Sequence, residues 1–174
     1  MNWRGVGKDL AAVAGLAMLS MLAGMTLNRF GSNPLPLVYK SPGARLQAEL
    51  TQLVTAPPFD SFPVATIDLG EFRHVVESKS ALIFDARSPV FYRQGHVPGA
   101  LNLSRDQFGK DYLRLQSTLK NAKDRPIVVY CSGGSCHDSK MVAQALTSLG
   151  FSQVRIFAGG WDAWTAAQMP ADKG

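Results

Sequence analysis

The run PIVVY, from Pro126, is apolar on both of the faces a strand would present. Such a strand must be covered from both sides, so it belongs in the middle of a sheet with helices above and below. Around it, short β-branched runs alternate with longer stretches whose apolar residues recur at helical spacing, the pattern of a parallel α/β sheet. The strands read VATI from Val64, ALIFDA from Ala81, ALNL from Ala100, PIVVY, and VRIF from Val154. Between the first two, Asp68-x-x-Glu71 is expected to act as a capping box for a helix with Phe72, Val75 and Val76 inward. SPVFYRQ forms a short helix ended by Gly95. Ser104 is the expected N-cap of a helix with Phe108, Tyr112, Leu115 and Leu119 on one face. Met141, Val142, Ala145, Leu146 and Leu149 stripe the helix after PIVVY, and GGWDAW opens the closing one.

Everything before Val64 has a different composition. Leu10 to Leu27 carries no charge over 18 residues. As a helix it would span about 27 Å, near the thickness of a bilayer's hydrocarbon core. Only Ser20 and Thr26 are polar, so it lacks the polar face of a surface helix. Arg4 and Lys8 precede it as a signal peptide's basic flank would, but no small-x-small site closes the run before Asn28-Arg29. The expected organisation is a transmembrane anchor over 1–28 touching lipid through residues 10–27, a Pro-rich tether over 29–62, and one folded domain over 63–174. ARLQAELTQLV, from Ala44, is a short helix candidate within the tether. The net charge of +5 is scattered and forms no basic run, so nucleic acid is not an expected partner.

Both cysteines fall in YCSGGSCHDS, from Tyr130, which follows the central strand. In parallel sheets the functional crevice lies beyond the carboxyl ends of the strands. A cysteine between such an end and the next helix meets unsatisfied N–H groups and the positive end of the helix dipole, which stabilise a thiolate. Cys131 is therefore the candidate nucleophile. Gly133 and Gly134 let the backbone curl its amides toward one point, so the N–H groups of Ser132, Gly133, Gly134, Ser135 and Cys136 form a candidate anion cradle that would also suit a persulfide. The bland alternative makes both thiols small core residues, against the polar and glycine-rich surroundings. A zinc site would need a second ligand pair that Cys131-x4-Cys136 followed by His137 lacks, and no cofactor is implied.

The stretch IFDARSPVFYRQGHVPGALNLS from Ile83, then PIVVYCSGG, then IFAGGWDAW, resembles a rhodanese domain over roughly Val64 to Pro170. The resemblance implies a five-stranded parallel sheet flanked by helices. It also implies Cys131 as a persulfide carrier between a sulfane-sulfur donor and a thiol acceptor. Beside it, Arg87 matches the family's arginine after the second strand and is a candidate substrate contact whose partner is open, since Pro89, Val90 and Phe91 replace the acidic residue expected next. Asp85, at the functional edge, orients the loop or caps the following helix, with capping the favoured reading, and His96 in GHVPGA holds a turn locally. Trp161 and Trp164 are packing residues, with Trp161 the one placed to line the pocket mouth. His74 has no expected role.

The departures from the family pattern narrow the chemistry. Rhodaneses commonly read C-x-x-G-x-R-S; here Gly134 stands in place, but Cys136 replaces the arginine and His137 the serine. Related phosphatases and arsenate reductases use C-x5-R, and that position is His137, an imidazole without the planar guanidinium fork. Phosphoryl chemistry is therefore disfavoured, and a persulfide, polysulfide or protein donor fits better than thiosulfate. The helix after the loop also arrives about two residues late against the family spacing, which implies a longer, wider loop. Cys136 is a resolving or accepting thiol and His137 a proton donor or orienter. Two other readings stand beside sulfur transfer: a thiol-disulfide oxidoreductase or redox sensor using Cys131 and Cys136, and a membrane-tethered docking domain without catalysis. A short basic tail before a lone anchor most often stays inside, which would place the domain in the periplasm from a bacterial inner membrane; Arg29, Lys40 and Arg45 after the span oppose this.

Overall fold

The computed structural model describes residues 3–32, 40–55 and 64–174. The proline-rich stretches 33–39 and 56–63 of the expected tether lie outside the described residues. Two compact units result, Met1–Lys40 and Ser41–Gly174.

The described part of the first unit holds the helix α1 (Trp3–Phe30), and its Asp9–Phe30 portion is long and apolar enough to cross a membrane. None of that portion is buried against protein. Its two hydroxyls are satisfied within the helix: Ser20 Oγ donates to the Leu16 carbonyl at 2.9 Å and Thr26 Oγ1 to that of Ala23 at 2.9 Å. This leaves no side-chain hydroxyl of the span needing water.

The second unit holds a five-stranded sheet, β1 (Ala65–Ile67), β2 (Leu82–Asp85), β3 (Leu101–Asn102), β4 (Ile127–Tyr130) and β5 (Val154–Phe157), in spatial order β1-β5-β4-β2-β3 with every pair parallel. PIVVY is central, as its two apolar faces require, and all four residues of β4 are fully buried. The strand's alternation divides two cores. Ile127 and Val129 face one with Phe84, Leu103, Val142 and Leu146; Val128 and Tyr130 face the other with Ile67, Phe72, Phe157 and Trp164.

Helices cover each face. Over the first lie α5 (Phe108–Arg114), α6 (Gln116–Lys120) and α7 (Asp138–Ser148), which bury Phe108, Leu119 and the stripe Met141, Val142, Ala145, Leu146. The other is closed by α3 (Leu69–Ser78) and α8 (Gly160–Ala166). There Phe72 stacks on Phe157 at 4.3 Å and meets Trp164 edge-on at 5.4 Å. Trp164 is a packing residue whose Nε1 donates to the Pro170 carbonyl at 2.7 Å. The short helix α4 (Pro89–Gln94) ends at Gly95.

Three local expectations are corrected. The Asp68 capping box is half formed: Asp68 Oδ1 accepts from the Glu71 N–H at 2.8 Å, but the Glu71 side chain pairs with Arg155 on β5. An ion pair to the neighbouring strand is available only in the folded sheet, and it outcompetes the return bond to the cap. Ser104 is not an N-cap; α5 starts at Phe108, and Ser104 gives both its N–H (3.0 Å) and its hydroxyl (2.7 Å) to Asp111 Oδ2. The single face Phe108-Tyr112-Leu115-Leu119 is split between α5 and α6 by a break at Leu115.

The helix candidate inside the 29–62 segment forms as α2 (Pro42–Gln52), capped by Ser41, and packs against α5. Leu50 and Val54 enter the main core, and Gly109 gives α2 its close approach, because a Cβ there would lie 2.2 Å from the Gln47 carbonyl oxygen. The compact unit accordingly begins at Ser41. Leu50→Ala should cost about 2–5 kcal/mol of stability, whereas Leu53→Ala, at a position 37% exposed, should stay within about 0.5 kcal/mol. Urea unfolding of the full chain in detergent, followed by tryptophan fluorescence, measures both; equal small losses would show that α2 contributes no packing.

Candidate active site

The site is assembled at the carboxyl ends of β2, β3, β4 and β5. Tyr130, the last residue of β4, lies beside Asp85, the last of β2, in the sheet register. Its hydroxyl donates to Asp85 Oδ2 at 2.7 Å and accepts from the Val97 N–H at 3.1 Å. Asp85 is completely buried and also accepts from Arg87: the backbone N–H at 2.9 Å, Nε at 3.0 and 3.1 Å, and Nη2 at 2.6 Å. Arg87 Nη2 continues to the Gly95 carbonyl at 2.7 Å, and the guanidinium lies 4.7 Å from the Trp161 ring centroid. Asn102 Nδ2 ties the Asp85 and Arg87 carbonyls at 3.0 and 2.9 Å.

This network fills the open partner of Arg87: it is Asp85. Burial lowers the Arg87 pKa, but its bonds and charge attraction to Asp85 outweigh that and raise it. Arg87 is 5% exposed as a residue, and its Nε and Nη2 turn to Asp85 and Gly95, so these donors brace the network. Asp85 does not cap α4, whose N-cap is Ser88, because its oxygens are taken by Arg87 and Tyr130. His96 is local, with Nδ1 2.9 Å from the Tyr92 carbonyl, its ring stacked on Tyr92 at 3.8 Å, and its backbone paired with Asp172. Trp161 covers Arg87 and closes on Gly95, where a Cβ would lie 3.0 Å from its ring.

Above this support runs the cysteine loop. Cys131 continues the β4 alternation into the first core and is 3% exposed. Its carbonyl accepts from the Trp161 N–H at 2.8 Å, and the Ser132 carbonyl from the Asp162 N–H at 2.8 Å, so the loop is stitched to the start of α8. The contact is possible only between glycines. A Cβ on Gly133 would lie 2.5 Å from the Gly159 carbonyl oxygen, and one on Gly160 would lie 2.5 Å from that of Cys131. Both also hold positive φ, +126° and +60°, as does Gly134 at +57°.

The N–H groups of Ser132, Gly133, Gly134 and Ser135 have no internal acceptor among the described residues, so four of the five cradle amides are available to an anion. The fifth is not: the Cys136 N–H closes a turn onto the Gly133 carbonyl at 3.1 Å. His137 is the exposed N-cap of α7 and makes no side-chain capping bond.

Cys131 and Cys136 are joined by a disulfide, with Cα atoms 6.4 Å apart. Two residues near it were not singled out by the sequence. Ser139 is buried with its hydroxyl 3.3 Å from Cys131 Sγ, a position in the first turn of α7 that the strand-loop-helix pattern implies. Arg105, just past β3, lies 3.6 Å from Asp138 at the start of α7 and gives this edge a cation of its own. Its signal was its place at a strand's carboxyl end. Among the described residues no cluster of three His, Cys, Asp or Glu gathers as a metal site. A separate cleft of about 570 Å³ beside α4 and α5, lined by Tyr92, Arg93, Lys110 and Arg114 among others, contains none of the loop residues.

Residues 68–167 match the rhodanese-like domain family, more than half of the chain. The chain belongs to the rhodanese-like family. It is 30% identical over 112 residues to the uncharacterized protein YibN of Escherichia coli, spanning 64% of this chain and 74% of YibN. It is 27% identical over 111 residues to the mouse thiosulfate sulfurtransferase/rhodanese-like domain-containing protein 3, across 59% and 69% of the two chains. Among solved structures, the rhodanese-like domain of Anabaena Alr3790 superposes with a TM-score of 0.53 at 25% identity, covering 64% of this chain and 81% of that one. The BH2092 protein of Bacillus halodurans gives a TM-score of 0.54 at 18% identity, covering 76% and 87%, and supports the fold alone. The five-stranded parallel sheet flanked by helices is thus a rhodanese-like sheet, in a single-domain arrangement.

The buried phenol makes the support network pH-sensitive. Burial, then the adjacent Asp85 carboxylate, pushes the Tyr130 pKa well above the ordinary tyrosine value. The folded protein therefore keeps a proton that the unfolded chain gives up from about pH 10, so stability is present below that pH and falls as pH rises beyond it. Tyr92 and Tyr112 are shifted the same way, mainly by burial. Tyr130→Phe should therefore flatten, without abolishing, the decline of urea midpoint between about pH 9 and pH 11. An unchanged slope would show that Tyr130 does not hold the proton.

Proposed function

We propose that this rhodanese-like protein is a sulfurtransferase that carries sulfane sulfur as a persulfide on Cys131. The observation that carries the reading is the position of Cys131: at the end of the central strand, 3.3 Å from the Ser139 hydroxyl in the first turn of α7, and at the start of a loop with four unengaged N–H groups. Reduction frees the thiolate, and the helix start together with the loop amides favours the anionic sulfur over the thiol. Sulfur transfer needs this stabilisation twice, for the attacking thiolate and for the persulfide anion it becomes.

The loop holds no arginine, which separates this site from those built around an oxyanion donor. The nearby cation, Arg105, is shared with Asp138. Donors whose leaving group is a thiolate or a shorter polysulfide are accordingly favoured over thiosulfate. The Cys131–Cys136 disulfide favours a second reading, a thiol-disulfide oxidoreductase or redox sensor, in which the same two sulfurs cycle without a sulfane intermediate.

Sulfur transfer by the full chain in detergent, measured with polysulfide, cysteine persulfide and thiosulfate, distinguishes the two. Cys131→Ser should abolish transfer from every donor, because a hydroxyl cannot carry a stable persulfide; turnover near that of the unsubstituted protein would remove Cys131 from the chemistry. No persulfide on the reduced protein with any donor, alongside reversible disulfide exchange, would favour the second reading.

Asp9–Phe30 acts in this proposal as a single-pass anchor, and the catalytic unit lies outside the cytoplasm. An oxidising compartment would keep the cysteine pair closed until a reductant arrives. A compartment-sensitive reporter fused after Gly174 should be active only outside the cytoplasm; activity confined to the cytoplasm would reverse the orientation and leave the chemistry of Cys131 in place.

A further inference from the structure

We infer that Cys136 resolves the Cys131 persulfide internally, so that the protein reduces sulfane sulfur to hydrosulfide at the expense of a dithiol. The inference rests on the persulfide reading above and specifies the fate of the sulfur.

A persulfide offers two sulfurs to a thiol. Attack on the outer one hands that sulfur to the attacker and restores the original cysteine. Attack on the inner one forms a disulfide and expels the outer sulfur. In this fold the bond made by Cys136 Sγ is to Cys131 Sγ, which is the inner sulfur of any persulfide on Cys131. The backbone favours this pairing. The bond from the Cys136 N–H to the Gly133 carbonyl and the left-handed Gly134 turn the chain back toward its start, and the Cα atoms come within 6.4 Å. An attached thiol in such a position acts at an effective concentration far above that of free cellular thiols.

The steps balance. The Cys131 thiolate takes the zero-valent sulfur from a donor and becomes Cys131–S–S⁻. The Cys136 thiol then bonds to the inner sulfur, the S–S bond of the persulfide breaks with its electron pair on the outer sulfur, and the thiol proton leaves with it as HS⁻. The product is the Cys131–Cys136 disulfide. A dithiol reductant, small or protein-borne, restores both thiols and is itself oxidised to a disulfide, supplying the two electrons that reduce the sulfur.

The disulfide is asymmetric in the direction this cycle needs. Cys131 is buried and Cys136 half-buried, so an incoming thiolate reaches Cys136 first. The leaving thiolate is then Cys131, next to Ser139 and the start of α7, where its charge is best stabilised.

The test loads reduced, desalted full-length protein in detergent with benzenethiosulfonate. This donor gives up one sulfur and leaves as the sulfinate, producing neither thiol nor sulfide of its own. With no other thiol present, the unsubstituted protein should release one hydrosulfide per chain and finish two hydrogens lighter than its reduced form by intact mass. Cys136→Ser, and Cys136→Ala as a second variant, should release none and retain one added sulfur on Cys131. An unsubstituted protein that keeps the added sulfur without releasing hydrosulfide, or carries it on Cys136, would overturn internal resolution and leave the persulfide reading standing. Absence of added sulfur in all three proteins, with benzenethiosulfonate and with cysteine persulfide alike, would overturn the persulfide reading, and this inference with it.

Discussion

The Asp85 carboxylate is the point on which the carboxyl edge of this sheet rests. It is fully buried, and its two oxygens receive the Tyr130 hydroxyl from β4 and the Arg87 backbone and guanidinium from the chain leaving β2. Through the Arg87 bond to Gly95, the Tyr130 bond to Val97 and the Asn102 bonds to the Asp85 and Arg87 carbonyls, the network ties two loops to the three strands β2, β3 and β4. A buried ion pair gains little net stability over an apolar one, but removing one partner leaves an uncompensated charge and costs several kcal/mol, on the order of 3–5. The arrangement therefore holds one geometry and penalises alternatives at the base of the cysteine loop.

On that base, the loop is shaped by close approach rather than by side chains. Its first two carbonyls are bonded to α8, and glycines at 133 and 160 let the two backbones touch. Trp161 begins the same helix and roofs Arg87, so the support network and the loop share an element. With the carbonyls engaged there, the amides of residues 132–135 remain open to an anion. Rhodanese-like loops that place an arginine among those amides can hold a doubly charged oxyanion; this one places a second sulfur instead.

Much of this was legible in the chain. PIVVY had to be a central strand because both faces were apolar, and the order of strands and helices followed from period-2 and helical patterning. The glycine pair after Cys131 was readable because a loop with left-handed backbone leaves few substitutes. What was not legible shares one physical cause, competition from partners distant in sequence. Glu71 had a cap within reach and pairs with Arg155 instead; Asp85 looked like a cap and is claimed by Tyr130; Ser104 is claimed by Asp111. The helix Pro42–Gln52 read as part of a spacer because its amphipathic face has no visible partner until α5 is placed beside it.

The sequence by itself determined the layered fold, the placing of both cysteines in the loop after the central strand and the presence of an apolar N-terminal helix, since each depends on the period or composition of contiguous residues. The tertiary structure alone decided which charges meet and which sulfurs touch. Arg87 became a buried support, Arg105 and Ser139 joined the site's edge, and the two cysteines came within bonding reach. Pairings of that kind depend on distances across strands and loops, and burial decides which of several locally reasonable hydrogen-bond partners is closest once water is excluded.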